Sequence, residues 1–574
     1  MVSRNVGATA LAALIAPIEL SDDIHRYVWD GELVLDGVNP YAETPHGAAL
    51  LGHGDDGVLH KLNSPHYHSV YPPLAQGFFA AGVAMERATG LAAEQALKLL
   101  FILADLIAIF FLVAALRRLR IPPWTVVLYA WNPFVFLEVA AGGHTEALLA
   151  PWLILMVLWA MEGRPVATGL AIGLGALAKT TILVASPVIG IFLLRRHGAV
   201  VAVLAAVIAA ATIAAGYAPF YFDDLLANHR TSYELYATTF SFNAPIFYGL
   251  RHIFGYREGV TAPIDHLILP WLTVATLLII VLSAALQGLR APTEHDADRR
   301  LVVGLTAALG AYLLLSPTFH PWYLIPVLLV SLMAGLRSFV LLSFLVPLSY
   351  FYYSPWITGE KMWALMGVQF LPFYGLLGWE AGKRALDAIL RRRAARKYRA
   401  FAPFIGPDQH ILDIGASEGY VGETAGLDGH EVELVDVVDN NRTTLPHRVY
   451  DGEHLPYTDD AFDVGVLSYV LHHCRDPDAV LEEAARVCKR LVILESTYET
   501  EGQRKLLTFL DHQANRLRGM GPEPLYFDTP DGWRGRFAAM GLEVEHFEWL
   551  GRGVHKHVLF VVCRQPSIPR SDGC

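Results

Sequence analysis

Apolar positions in this chain gather into long runs between residues 72 and 380, then break into short blocks from about residue 400. A helix that crosses a membrane needs roughly 20 largely apolar residues. Runs near that length lie at 96–116, 122–141, 198–216, 265–288, 301–316, 321–336, 338–353 and 362–380, with weaker ones at 72–88, 146–161 and 165–194. The last is interrupted by Ala178-Lys179-Thr180-Thr181 and reads either as one long helix or as two short ones. Residues 8–20 form an apolar stub too short to cross alone. The pattern predicts a polytopic α-helical membrane bundle of about eleven to thirteen segments. The later blocks read as strands alternating with helices, which predicts a parallel, doubly wound α/β domain.

Composition agrees: 54% of residues are hydrophobic and 17% charged, too apolar for an average soluble protein. Basic residues mark the connections expected in the cytoplasm: Arg195-Arg196, Arg290, Arg299-Arg300, Arg337 and the cluster at 383–399. Opposite them, 217–262, 316–320 and 354–361 are rich in aromatics, His and Pro, and are placed outside. This makes a multi-pass membrane protein with its C-terminal part in the cytoplasm. The expected division is a multispanning domain at 1–382, a basic linker at 383–399, a soluble domain at 400–565 and a tail at 566–574. The basic cluster follows an apolar run directly, so it suits a membrane flank, and nucleic acid is not an expected partner. Cys474, Cys488, Cys563 and Cys574 have neither metal-ligand spacing nor the look of a disulfide framework, which fits a reducing compartment. Residues 1–20 carry no clear cleavable-signal pattern.

Between the stub and residue 72 lies a polar stretch read as a loop: Ser21-Asp22-Asp23-Ile24-His25-Arg26-Tyr27-Val28-Trp29-Asp30-Gly31, then Asn39-Pro40-Tyr41 and Tyr71-Pro72-Pro73. Adjacent carboxylates with an arginine four residues from Asp22 can take a proton from a hydroxyl while the guanidinium neutralises a phosphate leaving group. Lys179 is a second candidate, because an ammonium inside an apolar run is costly and tends to be functional; the other reading is a side chain reaching out from a helix end. These residues, with Trp131-Asn132-Pro133, Glu138, Gly143-His144-Thr145-Glu146, Lys179 and Thr318-Phe319-His320-Pro321-Trp322-Tyr323, resemble the GT-C glycosyltransferases. The resemblance is particularly to bacterial mannosyltransferases that use polyprenyl-phosphate sugars, implying a bacterial-type inner (cytoplasmic) membrane, and it covers most of residues 17–380. It implies inverting transfer on the outer face, from a polyprenyl-phosphate sugar to a glycolipid or glycan in the lipid bilayer. It also implies a first-loop acid, Asp22 or Asp23, as catalytic base. Arg26, Tyr27, His144, Glu146, Lys179 and His320 would then contact sugar or phosphate. The acidic pair leaves room for a divalent cation, although no metal site is evident.

In the soluble part, residues 410–421 read as strand, Gly-rich turn and helix start around Asp413, Gly415, Ala416 and Gly419. Glycines there let the backbone approach a ligand at a helix N-terminus. A second strand at 431–436 ends in Asp436, placed for ribose hydroxyls; Tyr450-Asp451-Gly452 follows as a loop, then a strand at 462–468. A dinucleotide site is the alternative, but it needs G-x-G-x-x-G where this turn has Gly415-x-x-x-Gly419. The order is similar to class I S-adenosylmethionine-dependent methyltransferases across 400–563. That resemblance implies a Rossmann-like α/β fold whose cofactor, S-adenosylmethionine, lies against Asp413, Gly415, Ala416, Gly419, Asp436, Asp451 and Gly452. His472-His473 reads as a metal or base pair, or as the start of a helix, and His512, His555 and His557 are further candidates. The whole reads as a bifunctional membrane enzyme; the alternative is a methyltransferase whose membrane part is an anchor, a transporter or an inactive glycosyltransferase remnant.

Overall fold

The computed structural model describes residues 21–234, 240–254, 265–289, 293–517, 525–552 and 556–564. The stub at 8–20, His555 and the tail at 566–574 lie outside them. The chain divides into two compact units, 1–380 and 381–574.

The first unit is helical. Among the described residues, helices Ala93–Arg118, Ala199–Phe220 and Leu267–Gln287 are long and apolar enough to cross a membrane, and the bent pair Pro123–Ala130 and Pro133–Ala141 adds a fourth if it is one span. Of the other apolar runs, 301–316 and 362–380 lie in the long helices Glu294–Leu314 and Glu360–Phe401, and four more form shorter pieces: Glu146–Met161, Pro165–Ala178, Pro321–Met333 and Ser338–Tyr353. This is fewer full-length spans than the eleven to thirteen segments read from hydropathy. Proline explains much of the difference. It opens the pieces at Pro133, Pro165 and Pro321, where its missing N–H is harmless and its fixed φ favours a helix start. The run at 165–194 is two helices, Pro165–Ala178 and Ser186–Arg196, joined through a 3-10 turn. The joint is Lys179, whose backbone is extended (φ −157°, ψ 126°).

The stretch after Asp22 is a correction to the sequence reading: it is a helix, Asp23–Leu35, and not a loop. Ile24, Tyr27 and Val28, at the spacing of one helical face, are buried, and Tyr27 stacks on Phe79 with ring centres 4.5 Å apart. Asp30 is fully buried on the same helix and accepts from Arg26 (2.7 Å), Ser69 (2.5 Å) and Gln76 (3.1 Å), tying the helix to the polar segment behind it.

The second unit holds a seven-stranded sheet of order β3-β2-β1-β4-β5-β7-β6. Its strands are β1 His410–Ile414, β2 Glu431–Asp436, β3 His447–Val449, β4 Phe462–Ser468, β5 Cys488–Thr497, β6 Leu542–Arg552 and β7 Lys556–Arg564. The first five pair in parallel, as read from the sequence, whereas β7 lies antiparallel to both β5 and β6, so the sheet is mixed. Only residues 553–555 separate β6 from β7, too few for a crossover, so a reversal of direction is the available connection. Residues 383–399 lie inside one continuous helix, Glu360–Phe401. The end of that helix packs Tyr398 and Phe401 against Ile411, Val432 and Leu434 of the sheet.

Candidate functional site

Strand order reverses between β1 and β4, and open α/β sheets bind ligands at the carboxyl ends of the strands at such a switch. A cavity of about 1430 Å³ opens there. It exceeds the roughly 300–1,000 Å³ of an ordinary small-molecule site, leaving room for two ligands side by side. Asp413, Gly415, Ala416, Asp436, Asp451 and Gly452 line it. Gly419 does not. It stands in the left-handed region (φ 78°) as N-cap of helix Tyr420–Leu427, where a Cβ would come within 2.7 Å of Leu434 Cδ1, so it shapes the turn from behind. Gly415 (φ 71°) is equally restricted, since a Cβ would meet Val470 at 2.6 Å.

Asp436 organises this end of the sheet. Its carboxylate accepts from the N–H of Ser417 (2.7 Å) in the turn and from that of Val437 (2.7 Å) in its own loop. A carboxylate has about four acceptor positions, so capacity for hydroxyl donors remains. Asp413 is buried and accepts from the Gly422 N–H at 2.9 Å; burial pushes its carboxyl up to about 7, against the pull of that N–H and of Lys397. Asp451 is exposed, and the N–H groups of His454 (2.7 Å) and Glu453 (2.8 Å) hold its carboxyl below the usual range.

Opposite the turn, His472 is buried on the short 3-10 turn Leu471–His473 that follows β4. Its Nδ1 lies 2.6 Å from Oε2 of the fully buried Glu495 on β5, and Asp511 faces it from helix Glu501–Leu517. His557 also lines the cavity, and its Nδ1 lies 3.3 Å from the Ser496 hydroxyl, whereas His512 is not among the lining residues. Glu495 and Asp511 were not singled out from the sequence. The signal for Glu495 was present: it is a lone acid at the end of the apolar run Leu491-Val492-Ile493-Leu494.

In the first unit, the residues expected to meet a sugar phosphate form two groups. Lys179 Nζ lies 2.7 Å from Glu146 Oε1, donates to the Thr145 hydroxyl at 3.1 Å, and sits 5.9 Å and 5.6 Å from the ring centres of Tyr71 and Tyr323. Asp23 belongs with them. Burial pushes its carboxyl up to about 6, the Lys179 ammonium pulls the other way, and Glu146 and Asp22 add to the rise. Asp22 is exposed at the N-cap, while Asp23 is partly buried and lines a cleft with Asn63, His68 and Tyr71. Tyr27 is buried beneath it.

The second group is a ring stack. Trp322 lies between His144 (3.8 Å, 13°) and His320 (4.4 Å, 7°), and Phe242 continues beyond His320 at 4.9 Å. Arg26 lines the same cleft as Asp23, but its guanidinium donates to Asp30 and to the carbonyls of Ser64 (3.3 Å) and Tyr67 (3.1 Å), and the cation acting on Asp23 is Lys179.

Comparison with known families agrees with both units. Residues 9–195 match the alpha-(1->6)-mannopyranosyltransferase N-terminal domain family, and residues 386–547 match a methyltransferase domain family. The chain therefore carries two enzyme domains, one mannosyltransferase-like and one methyltransferase-like, with several apolar helices in the first. Among curated relatives, it is 29% identical over 171 residues to the uncharacterized methyltransferase YcgJ of Bacillus subtilis, covering 25% of this chain and 66% of that protein. It is 32% identical over 124 residues to a demethylmenaquinone methyltransferase of Streptomyces avermitilis, covering 20% of this chain and 52% of that protein. The chain thus spans about half to two-thirds of the length of the relatives it matches. Similar solved structures include YcgJ (17% identity, TM-score 0.23, 28% of this chain and 93% of that one). Another is the geranyl diphosphate C-methyltransferase of Streptomyces coelicolor, solved with S-adenosyl-L-homocysteine (14% identity, TM-score 0.26, 32% and 84%).

Proposed function

We propose that the chain is a bifunctional membrane enzyme. The first unit, residues 1–382, transfers mannose from a polyprenyl-phosphate donor to a glycolipid or envelope glycan. The domain at 400–565 transfers methyl from S-adenosylmethionine. The membrane is a bacterial-type inner membrane, with the first active site outside and the second in the cytoplasm. One observation carries the glycosyl-transfer reading: Asp23, Glu146 and Lys179 converge within the region that matches the mannosyltransferase family. Asp23 is the base that takes the acceptor hydroxyl proton, and its raised pKa suits it to hold that proton. Lys179, oriented by Glu146 and Thr145, neutralises the departing phosphate. Arg26 acts indirectly, by fixing the helix that presents Asp23.

For methyl transfer, the cofactor supplies an electrophilic methyl on a sulfonium. The acids of the cavity suit its ribose hydroxyls and ammonium group, and the cavity has room for an acceptor beside it. Arg393, Arg396, Lys397 and Arg475 line that cavity beside its acids, and such cations can pair with an acceptor carrying phosphate or another anion. Calorimetric titration of the full chain with S-adenosyl-L-homocysteine tests this half: saturable binding lost in Asp436→Ala is expected, and absence of binding in the folded wild type would remove it.

A further inference from the structure

We propose that His472, His473 and Asp511 form a site for a divalent first-row transition metal at the acceptor side of the methyl-transfer cavity, with open coordination positions that take an oxygen of the acceptor. All three residues line the cavity, and one ligand atom from each lies within 4.8 Å of the other two. His472 Nε2 is 3.9 Å from one Asp511 oxygen, and His473 Nε2 is 3.6 Å from the other. Ligands held about 2.0–2.2 Å from a tetrahedral ion lie roughly 3.3–3.6 Å from one another. The set is therefore within a few tenths of an ångström of metal-binding spacing on these two edges.

The surroundings of His472 match those of a metal ligand. Glu495, fully buried in the sheet, faces its Nδ1 at 2.6 Å and accepts the Leu471 N–H at 2.8 Å with its other oxygen. A carboxylate on one ring nitrogen fixes the tautomer and leaves the other nitrogen as the ligand, the arrangement that orients metal-binding imidazoles. Phe527 stacks on the ring (4.7 Å, 20°), and the Tyr526 N–H holds the His472 carbonyl at 2.8 Å, so the imidazole cannot easily swing away. Two imidazoles and one carboxylate select zinc, manganese, iron or cobalt over calcium and magnesium, which prefer all-oxygen sets. Three protein ligands leave at least one position for an acceptor oxygen. That role rests on reading the cavity as the methyl-transfer pocket; metal binding itself does not.

The test is titration of the full-length, chelator-treated protein in detergent with Co²⁺, read by visible absorption, followed by competition with Zn²⁺. S-adenosyl-L-homocysteine binding and the melting curve are measured alongside. One equivalent of Co²⁺ displaced by Zn²⁺ is expected, with affinity at least tenfold weaker in His473→Ala and in Asp511→Asn, and about 10- to 100-fold weaker in Glu495→Gln. The proposal is overturned if the wild type shows no saturation near one equivalent, or if the His473→Ala/Asp511→Asn double variant binds as the wild type does. If Co²⁺ binds as expected but S-adenosyl-L-homocysteine does not, the metal site stands and the cofactor reading fails.

Discussion

The Lys179 ammonium lies 2.7 Å from the Glu146 carboxylate, and the pair sits where the helix Pro165–Ala178 stops, beside Asp23. Taking two charges into an apolar surround costs several kcal/mol each, and a buried pair is often no more stable than an apolar replacement. Such a pair is retained more readily for what it does than for stability. Removing one partner strands the other. Lys179→Met or Glu146→Gln should therefore lower stability by about 3 kcal/mol and abolish mannosyl transfer. The double variant should recover the melting temperature without recovering transfer. Thermal melts in detergent beside a transfer assay separate the two effects.

With Asp23 as the proposed base, its carboxyl should set the pH dependence of that transfer. Its carboxyl is pushed up to about 6, so the base form is lost as pH falls through about 6, not near 4 as for an ordinary carboxylate. The rate should be flat above about pH 7 and fall tenfold per unit below about pH 5. Lys179 opposes the rise, so any residual activity of Lys179→Met should have its acid limb displaced to higher pH. A pH–rate profile on washed membranes measures both.

The glycine turn makes a different prediction. Gly419 has positive φ and no space for a side chain beside Leu434, so Gly419→Ala should destabilise the turn by roughly 1–2 kcal/mol. Asp436→Ala removes the acceptor for the Ser417 and Val437 N–H groups. It should weaken S-adenosyl-L-homocysteine binding at least tenfold, about 1.4 kcal/mol. Calorimetry checks the second and a melting curve the first.

The cations that line the cavity predict a split between cofactor and acceptor. Arg396→Glu should reduce methyl incorporation into the anionic acceptor severalfold, chiefly at limiting acceptor, while cofactor binding changes by less than about twofold. Raising the salt should reproduce part of the loss in wild type, because exposed charges are screened. Incorporation of labelled methyl from S-adenosylmethionine is the readout.

Much of the second unit was legible in the sequence. The strands at β1, β2 and β4 fall where apolar blocks predicted them, and Asp436 stands at the end of β2 as expected. There the chemistry is local: a strand, a glycine turn and an acid lie next to one another in sequence. Glu495 and Asp511 were harder to find because they meet His472 only through the fold, from β5 and from a later helix. In the first unit, hydropathy located the apolar runs but overstated their continuity, since proline starts and the extended backbone at Lys179 interrupt them. The helix Asp23–Leu35 was read as a loop because Asp23, Arg26, Asp30 and Gly31 break up its apolar pattern, although all but Asp23 are buried. Its buried face of Ile24, Tyr27 and Val28 was the overlooked signal. Arg26 illustrates the limit of spacing arguments: four residues from Asp22, it turns to Asp30 instead.

The account rests most directly on Asp23 as the base of a mannosyl transfer. The deciding measurement is incorporation of labelled mannose from polyprenyl-phosphate mannose into lipid or glycan by membranes carrying the wild type or Asp23→Asn, with the amount of folded protein matched. The account predicts transfer by the wild type and at least a hundredfold loss in the variant, with S-adenosyl-L-homocysteine binding unchanged. Equal transfer by both, or none by a folded wild type supplied with this donor, would contradict it.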